Sequence, residues 1–296
     1  YDKDAVAIKG LATLGFGHIE VGTITPQPQP GNPRPRVFRL PEEEAVINRM
    51  GFPSQGLEFV KKQLNPALRE NALEKFTGLS LLRKKASRTS QKRNVILGIN
   101  LGKNKDTPNE EAVLDYLELL QGFAPNTDYL AINISSPNTV GLRQLQGRLA
   151  LEALLTQLHA QRQFEEKKLD KRVPLLVKLA PDLTDRELDE ALDVILDTHM
   201  DGIIVTNTTL AREGLASEHR GESGGLSGRP LRLRSEAVLC QVVKRVNGQI
   251  PIVSVGGIMN PEDAKRRLEL GATLIQIYTG LIYRGPGLVK KIVAEQ

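Results

Sequence analysis

Tyr129-Leu130-Ala131-Ile132-Asn133-Ile134-Ser135-Ser136-Pro137-Asn138-Thr139 is the stretch whose reading decides the fold. Its first half is apolar and reads as a buried strand; its second half is hydroxyls, amides and a proline. A strand that stays apolar to its last turn and then becomes densely polar opens into a site. Asn133 stands out, because an amide inside a buried strand must find hydrogen-bond partners or cost stability. Ser136 follows three residues later, just before the bend that Pro137 imposes.

Outward from this strand, short Val- and Ile-rich runs recur at residues 18–25, 95–101, 129–135, 175–180, 202–208, 252–257 and 274–279. Amphipathic stretches lie between them at 109–122, 146–168, 184–198, 234–247 and 261–270, and Thr184 with Glu187 matches a capping box. Strands alternating with helices imply βαβ units and a parallel sheet. With one more strand upstream, ending just before Asp2-Lys3, the total would be eight. Eight such units in a chain of 296 residues predict an α/β fold, the (β/α)₈ TIM barrel, whose usual size is about 250 residues. Residues 1–296 are then expected to form a single catalytic domain. A doubly wound open sheet is the alternative, but Gly15-Phe16-Gly17 precedes a strand, whereas a dinucleotide loop follows one.

Two segments interrupt the alternation. Residues 26–53 are rich in proline and read as extended loop or short hairpin. Residues 55–92 read as helical with a basic run, Arg83-Lys84-Lys85 and Arg88. Loops this long are uncommon unless they serve function, for instance as cover over an active site.

Composition narrows the partners. The net charge of +5 is modest and scattered, and five Tyr and seven Phe offer little for stacking bases, so no nucleic-acid partner is expected. An anionic substrate, a phosphate-bearing cofactor or an anionic membrane surface suits the charge. Cys240 is the sole cysteine, so no intrachain disulfide forms; it reads as a packed thiol on a buried helix face. The histidines at 18, 159, 199 and 219 lack metal-binding spacing, and no metal is expected. No run of some eighteen apolar residues is present, and no signal peptide is read. The chain starts at Tyr1 without Met, and its natural start is expected upstream.

A barrel builds its active site at the C-terminal ends of its strands. In order, those ends carry Asp2-Lys3, Thr23, Asn100 with Lys103 and Asn104, Asn133 with Ser136 and Asn138, Lys178, Thr206-Asn207-Thr208, Gly256-Gly257, and Tyr278-Thr279-Gly280. This set is poor in carboxylates, which argues against paired-carboxylate hydrolysis. Asn and Thr edges suit a heteroaromatic ring, and lysines suit negative charge. Gly256-Gly257, Tyr278-Thr279-Gly280 and the loop Gly224-Gly225-Leu226-Ser227-Gly228 suit a phosphate held by backbone N–H groups. Lys178 lies inside a buried strand, where a lysine is rare unless it meets an anion; it reads as a cation beside developing negative charge.

In combination and in this order, these motifs, with Val21-Gly22-Thr23, Asn48-Arg49-Met50-Gly51-Phe52 and Lys178-Leu179-Ala180-Pro181-Asp182, resemble the flavin-dependent dihydroorotate dehydrogenases along essentially the whole chain. The likeness is to the membrane-associated, quinone-using class 2. It implies FMN contacts at Thr23, Asn100, Asn133, Lys178, Thr206, Ser227, Gly228, Gly256, Gly257, Tyr278 and Thr279. It implies that Lys3, Asn48, Arg49, Met50, Gly51, Phe52, Asn133, Asn138, Asn207 and Thr208 hold dihydroorotate or orotate. Ser136 takes the place of the catalytic base, where class 1 carries Cys, and Thr139 and Phe52 match positions shaping a proton relay from it. Arg39 matches a quinone-site arginine. Dihydroorotate then loses a proton to Ser136 and a hydride to the flavin, which a membrane quinone reoxidises, in the synthesis of pyrimidines. A monomer is implied, with peripheral membrane contact through an N-terminal segment before Tyr1. The location is then the cytoplasmic face of a bacterial inner membrane or, alternatively, the mitochondrial inner membrane. Two departures stand out: the small-residue turn before Asp2-Lys3 is absent, and Tyr1 replaces the usual Leu.

Two further readings stay open at this point. One is a sugar-phosphate barrel with Lys178 as Schiff-base amine; the other is a flavin-binding scaffold without catalysis. Scarce carboxylates count against the first, and the joint presence of Lys3, Ser136, Asn138 and Thr139 against the second.

Overall fold

The computed structural model describes residues 2–64 and 95–295. Tyr1 and the basic run at Arg83-Lys84-Lys85 and Arg88 lie outside the described residues. Ten strands are present among the described residues: β1 His18–Ile24, β2 Val37–Leu40, β3 Ala45–Asn48, β4 Ile96–Leu101, β5 Tyr129–Asn133, β6 Leu175–Leu179, β7 Gly202–Val205, β8 Gly225–Gly228, β9 Ile252–Val255 and β10 Leu274–Gln276. Seven of them form one sheet in the order β1-β4-β5-β6-β7-β9-β10, every pair parallel. The order follows the chain and never reverses. A doubly wound sheet would turn back at a switch point, so the sheet curls as in a (β/α)₈ barrel, as the alternation of elements implies.

Helices cover the outer face. They are α1 Ile8–Ala12, α2 Leu57–Leu64, α3 Ala112–Phe123, α4 Arg148–Leu169, α5 Asp185–Asp197, α6 Arg232–Val246, α7 Pro261–Glu269, α8 Thr279–Arg284 and α9 Gly287–Ala294. Strand alternation divides the core in two. Val21, Ile99, Ile132, Val177 and Val205 face outward and pack on Leu119, Leu155 and Leu192 of the helices. Tyr129, Ala131, Leu176, Ile204 and Val253 form a separate interior cluster. Helix α5 begins with the expected capping box, the Thr184 side chain accepting from the Glu187 amide and Glu187 from the Thr184 amide.

Three findings differ from the sequence reading. Gly224–Gly228 is not a loop throughout, because Gly225–Gly228 pairs antiparallel with Ala45–Asn48. Glycine is normally poor in strands, yet here a Cβ on Gly225 would meet the Thr208 Oγ1 at 1.9 Å, so only glycine lets the strand approach. Cys240 is exposed: the inward stripe of α6 is Ser235, Val238, Leu239, Val242 and Val246, which leaves residue 240 off its edge. The strands are also shorter than expected: β5, β6, β7 and β9 end at 133, 179, 205 and 255, and Ser136, Thr206 and Gly256 beyond three of these ends line the barrel mouth. The proline-rich segment does hold the expected hairpin, β2 with β3. With β8 this hairpin makes a three-stranded sheet beside the barrel mouth, tied down by the Tyr283 hydroxyl donating to the Ala45 carbonyl at 2.7 Å.

Candidate active site

The strand ends and the small sheet enclose a cavity of about 640 Å³. Lys3, Thr23, Asn48, Met50, Gly51, Phe52, Asn100, Asn133, Ser136, Asn138, Lys178, Thr206, Asn207, Thr208, Ser227, Gly228, Gly256, Gly257, Tyr278 and Thr279 all line it. Of the residues expected from sequence to serve catalysis, cofactor or substrate, Arg49 and Thr139 do not. Thr139 is buried beside the Ser136 turn, while the Arg49 guanidinium pairs with Glu222 at 2.6 Å and lies over the Phe38 ring. Arg39 stacks its guanidinium over Tyr283, 5.3 Å from the ring centre. Lys103 turns into its own loop and donates to the Thr107 carbonyl at 2.6 Å.

The odd amide, Asn133, is fully engaged. Its Nδ2 donates to the Thr23 hydroxyl at 3.0 Å and to Asn100 Oδ1 at 2.9 Å. Its Oδ1 accepts from Asn207 Nδ2 at 3.2 Å. One side chain thus joins β1, β4, β5 and the segment after β7. Each such buried bond contributes about 1 kcal/mol net, and leaving one unmade costs about 1–3 kcal/mol. The Ser136 turn is ordered by the Asn138 amide, which donates to the Ser136 Oγ at 3.2 Å, and by Asn138 Nδ2, which donates to Asn48 Oδ1 at 3.2 Å.

Two buried oxygens in the same cavity have no partner, Oγ1 of Thr206 and Oδ1 of Asn138. Buried polar atoms are normally satisfied, so both point to a polar ligand. Around the far end of the cavity, Gly228, Gly256 and Gly257 all have positive φ. A Cβ on Gly257 would lie 2.5 Å from the Arg232 backbone nitrogen, so that turn admits only glycine. Helix α7 starts just beyond it, capped by Asn260 accepting from the Asp263 amide. This combination suits a phosphate-bearing ring system: orphaned hydroxyl at the ring, backbone cradle at the phosphate.

The electrostatics centre on two lysines and one carboxylate. Lys178 lies 3.4 Å from Glu20 Oε1 on β1, with both side chains largely buried. Burial pulls the Glu20 carboxyl up, but Lys178 and hydrogen bonds from Gln276, Asn100 and Tyr129 outweigh it and hold it below the ordinary carboxylate value. Lys3 is lowered to about 8 by burial first and by Lys178 second. Sequence reading missed Glu20, although the signal was there: a carboxylate alternating with Ile19 and Val21 in a buried strand needs a cation, as Lys178 needs an anion. It also missed Arg143, which follows the Ser136 turn and has no sequence mark of its own.

All of the chain, residues 1–296, matches the sequence profile of the family described as dihydroorotate dehydrogenase. The dihydroorotate dehydrogenase (quinone) of Halorhodospira halophila is 48% identical over 294 residues, covering 99% of this chain and 79% of that one. The protein of the same description from Idiomarina loihiensis is 47% identical, again over 99% of this chain and 81% of its own length. Among solved structures, DHODH of Eimeria tenella in complex with ferulenol superposes with a TM-score of 0.86 at 42% identity, covering 99% of this chain and 77% of that one.

Proposed function

The chain belongs to the dihydroorotate dehydrogenase family and oxidises dihydroorotate to orotate with a quinone as electron acceptor, a step of pyrimidine biosynthesis, and we propose that it does so with FMN held in the barrel mouth. The observation that carries the FMN reading is the partnerless Thr206 hydroxyl, sharing one cavity with the glycine cradle and with a second partnerless oxygen on Asn138. The residues fit the group. Thr23, Asn100, Asn133, Lys178, Thr206 and Tyr278 would hold the ring, and Ser227, Gly228, Gly256, Gly257 and Thr279 the ribityl phosphate. When bound, FMN supplies the hydride acceptor and the link to quinone.

The remaining work falls to the protein's own side chains. Lys3 pairs with the carboxylate of dihydroorotate. Asn48, Asn133, Asn138, Asn207 and Thr208 satisfy the donors and acceptors of its ring, and Met50, Gly51 and Phe52 close over it. Arg49 contributes through its backbone, its side chain being committed to Glu222. Ser136 removes the ring proton. A serine hydroxyl is a weak base and needs a path for its own proton; the Thr139 hydroxyl, three residues on, would carry it, and Phe52, in the cavity wall, would shape the path. The Schiff-base reading fails on the Glu20–Lys178 pair, since an amine nucleophile must be unpaired and neutral. A purely binding role gives no reason to keep a base in the cavity.

Among the described residues no helix is long and apolar enough to cross a membrane. The proposed association is peripheral, through a segment before Tyr1, with residues 1–296 forming one catalytic domain that works as a monomer on a bacterial inner membrane, at its cytoplasmic face. Anaerobic mixing of the FMN-loaded protein with dihydroorotate is the direct test. The flavin absorbance bleaches and returns on adding quinone but not NAD or fumarate. A colourless protein that cannot be reconstituted with FMN, or a yellow one that dihydroorotate does not bleach, overturns the reading.

A further inference from the structure

We propose that Glu20 is a positioning residue that offsets the charge of Lys178 and thereby sets the reduction potential of the bound flavin; this rests on the FMN reading above. Glu20 lines the cavity and gathers four donors from four other strands. Its Oε1 accepts from Asn100 Nδ2 at 2.8 Å and from Lys178 Nζ at 3.4 Å. Its Oε2 accepts from Gln276 Nε2 at 2.9 Å and from the Tyr129 hydroxyl at 3.1 Å. Five strands, β1, β4, β5, β6 and β10, therefore meet on one carboxylate.

Two consequences follow from that geometry. The first is orientation. Asn100 turns its nitrogen to Glu20, so its Oδ1 faces the Thr23 hydroxyl at 2.6 Å and Asn133 Nδ2 at 2.9 Å. An amide has one donor end and one acceptor end, and the carboxylate decides which way it points. Glu20 thus fixes the hydrogen-bond polarity of Asn100, Thr23 and Asn133, three of the side chains that would touch the ring.

The second is charge. Lys3 and Lys178 both line the cavity, and the charge of Lys178 weakens the hold of Lys3 on its proton. Without a counter-ion they would favour an anionic, reduced ring strongly over the neutral, oxidised one. Glu20 pairs with Lys178 at 3.4 Å and cancels part of that preference. A flavin that must give its electrons onward to quinone needs a potential low enough to release them, and the pair supplies that restraint.

Replacing Glu20→Gln keeps the shape, removes the charge and leaves the Lys178 ammonium uncompensated. Apoprotein titrated with oxidised FMN by fluorescence quenching, together with dye-equilibrated potentiometry, gives the relative affinities of both redox forms. The variant should hold reduced FMN roughly tenfold more tightly relative to oxidised FMN, a rise of about 30 mV for a two-electron couple. Glu20→Asp, which keeps the charge, should stay near the parent potential. If Glu20→Gln does not fold, the neutral pair Glu20→Gln with Lys178→Gln is compared with Lys178→Gln alone, and the double variant should have the higher potential. Equal potentials in either comparison overturn the inference about Glu20. Failure of the parent protein to bind FMN overturns the FMN reading instead, so the two failures are distinct.

Discussion

Arg143 and Asp182 form an ion pair of 2.8 Å behind the catalytic strand ends. The same guanidinium donates through Nε to the Ser135 carbonyl at 3.0 Å and through its other terminal nitrogen to the Thr208 carbonyl at 2.9 Å. Asp182 in turn accepts from the Thr209 hydroxyl and from the Leu210 amide at 2.9 Å. The segments after β5, β6 and β7 are therefore clamped to one another, and with them Ser136, Asn207 and Thr208. Arg143→Ala should lower stability by about 2–3 kcal/mol, somewhat less than for a fully buried broken pair. It should also raise KM and lower kcat together. Arg143→Lys should not rescue either, because a single ammonium cannot reach three acceptors lying in a fork. Thermal unfolding and steady-state kinetics of both variants check this.

Ser136 accepts a hydrogen bond from the amide of Asn138, a residue assigned to the substrate and not to the flavin. Ser136→Ala should leave FMN content and the flavin spectrum unchanged and slow flavin reduction by dihydroorotate by a factor of roughly 10²–10⁴, the usual worth of a positioned base. Stopped-flow bleaching under anaerobic conditions measures it. Undiminished bleaching would remove Ser136 from the chemistry.

Lys3 gives the site a basic limb. Its value of about 8 lies below the ordinary 10.5 because burial and Lys178 disfavour its charge. Below about 8 the ammonium is present and, in the role proposed for it, would pair with the substrate carboxylate. Above it, binding must first take up a proton, so KM for dihydroorotate rises by up to about tenfold per pH unit. For folding the sign is opposite: the charged lysine opposes the fold below about 8, and that penalty fades as pH rises towards 10.5. Lys3→Arg, which keeps its charge throughout, should flatten the KM profile. A parent profile that is flat between pH 7 and 9.5 would count against Lys3 as the carboxylate partner.

Much of this was legible in the sequence, for identifiable reasons. The barrel strands declare themselves because Val, Ile and Leu must face helices outside and other strands inside. Asn133 and Lys178 declare themselves because polar groups at such positions need partners. The partners themselves were not legible: nothing near Glu20 in sequence points to residue 178, since the pair forms across the curled sheet. The side-chain partner of Arg49 was hidden for the same reason: its neighbours Asn48 and Met50 line the cavity while its guanidinium finds Glu222, 173 residues away. Gly225–Gly228 reads as a turn by composition, because a strand that needs glycine for close approach looks like a loop until its neighbour is known.

That close approach yields the sharpest substitution. Gly225 lies against Thr208, and a Cβ there would meet the Thr208 Oγ1 at 1.9 Å, its Cβ at 2.5 Å and Pro137 Cγ at 3.1 Å. The first two contacts are on a side chain assigned to the substrate, and the third is next to Ser136. The backbone at Gly225 does not need a positive φ, so the effect of Gly225→Ala is overpacking alone, costing about 1–3 kcal/mol. Thr208 must rotate away to accommodate the methyl, and its hydroxyl leaves the ring. FMN binding should persist, since none of the three contacts is on a residue assigned to the flavin, while KM for dihydroorotate should rise roughly tenfold, the worth of one lost polar contact. Adding Thr208→Ala relieves the shortest clash, so the double variant should regain part of the lost thermal stability without regaining KM. Recovery of both together would mean that Thr208 packs the small sheet and does not touch the substrate.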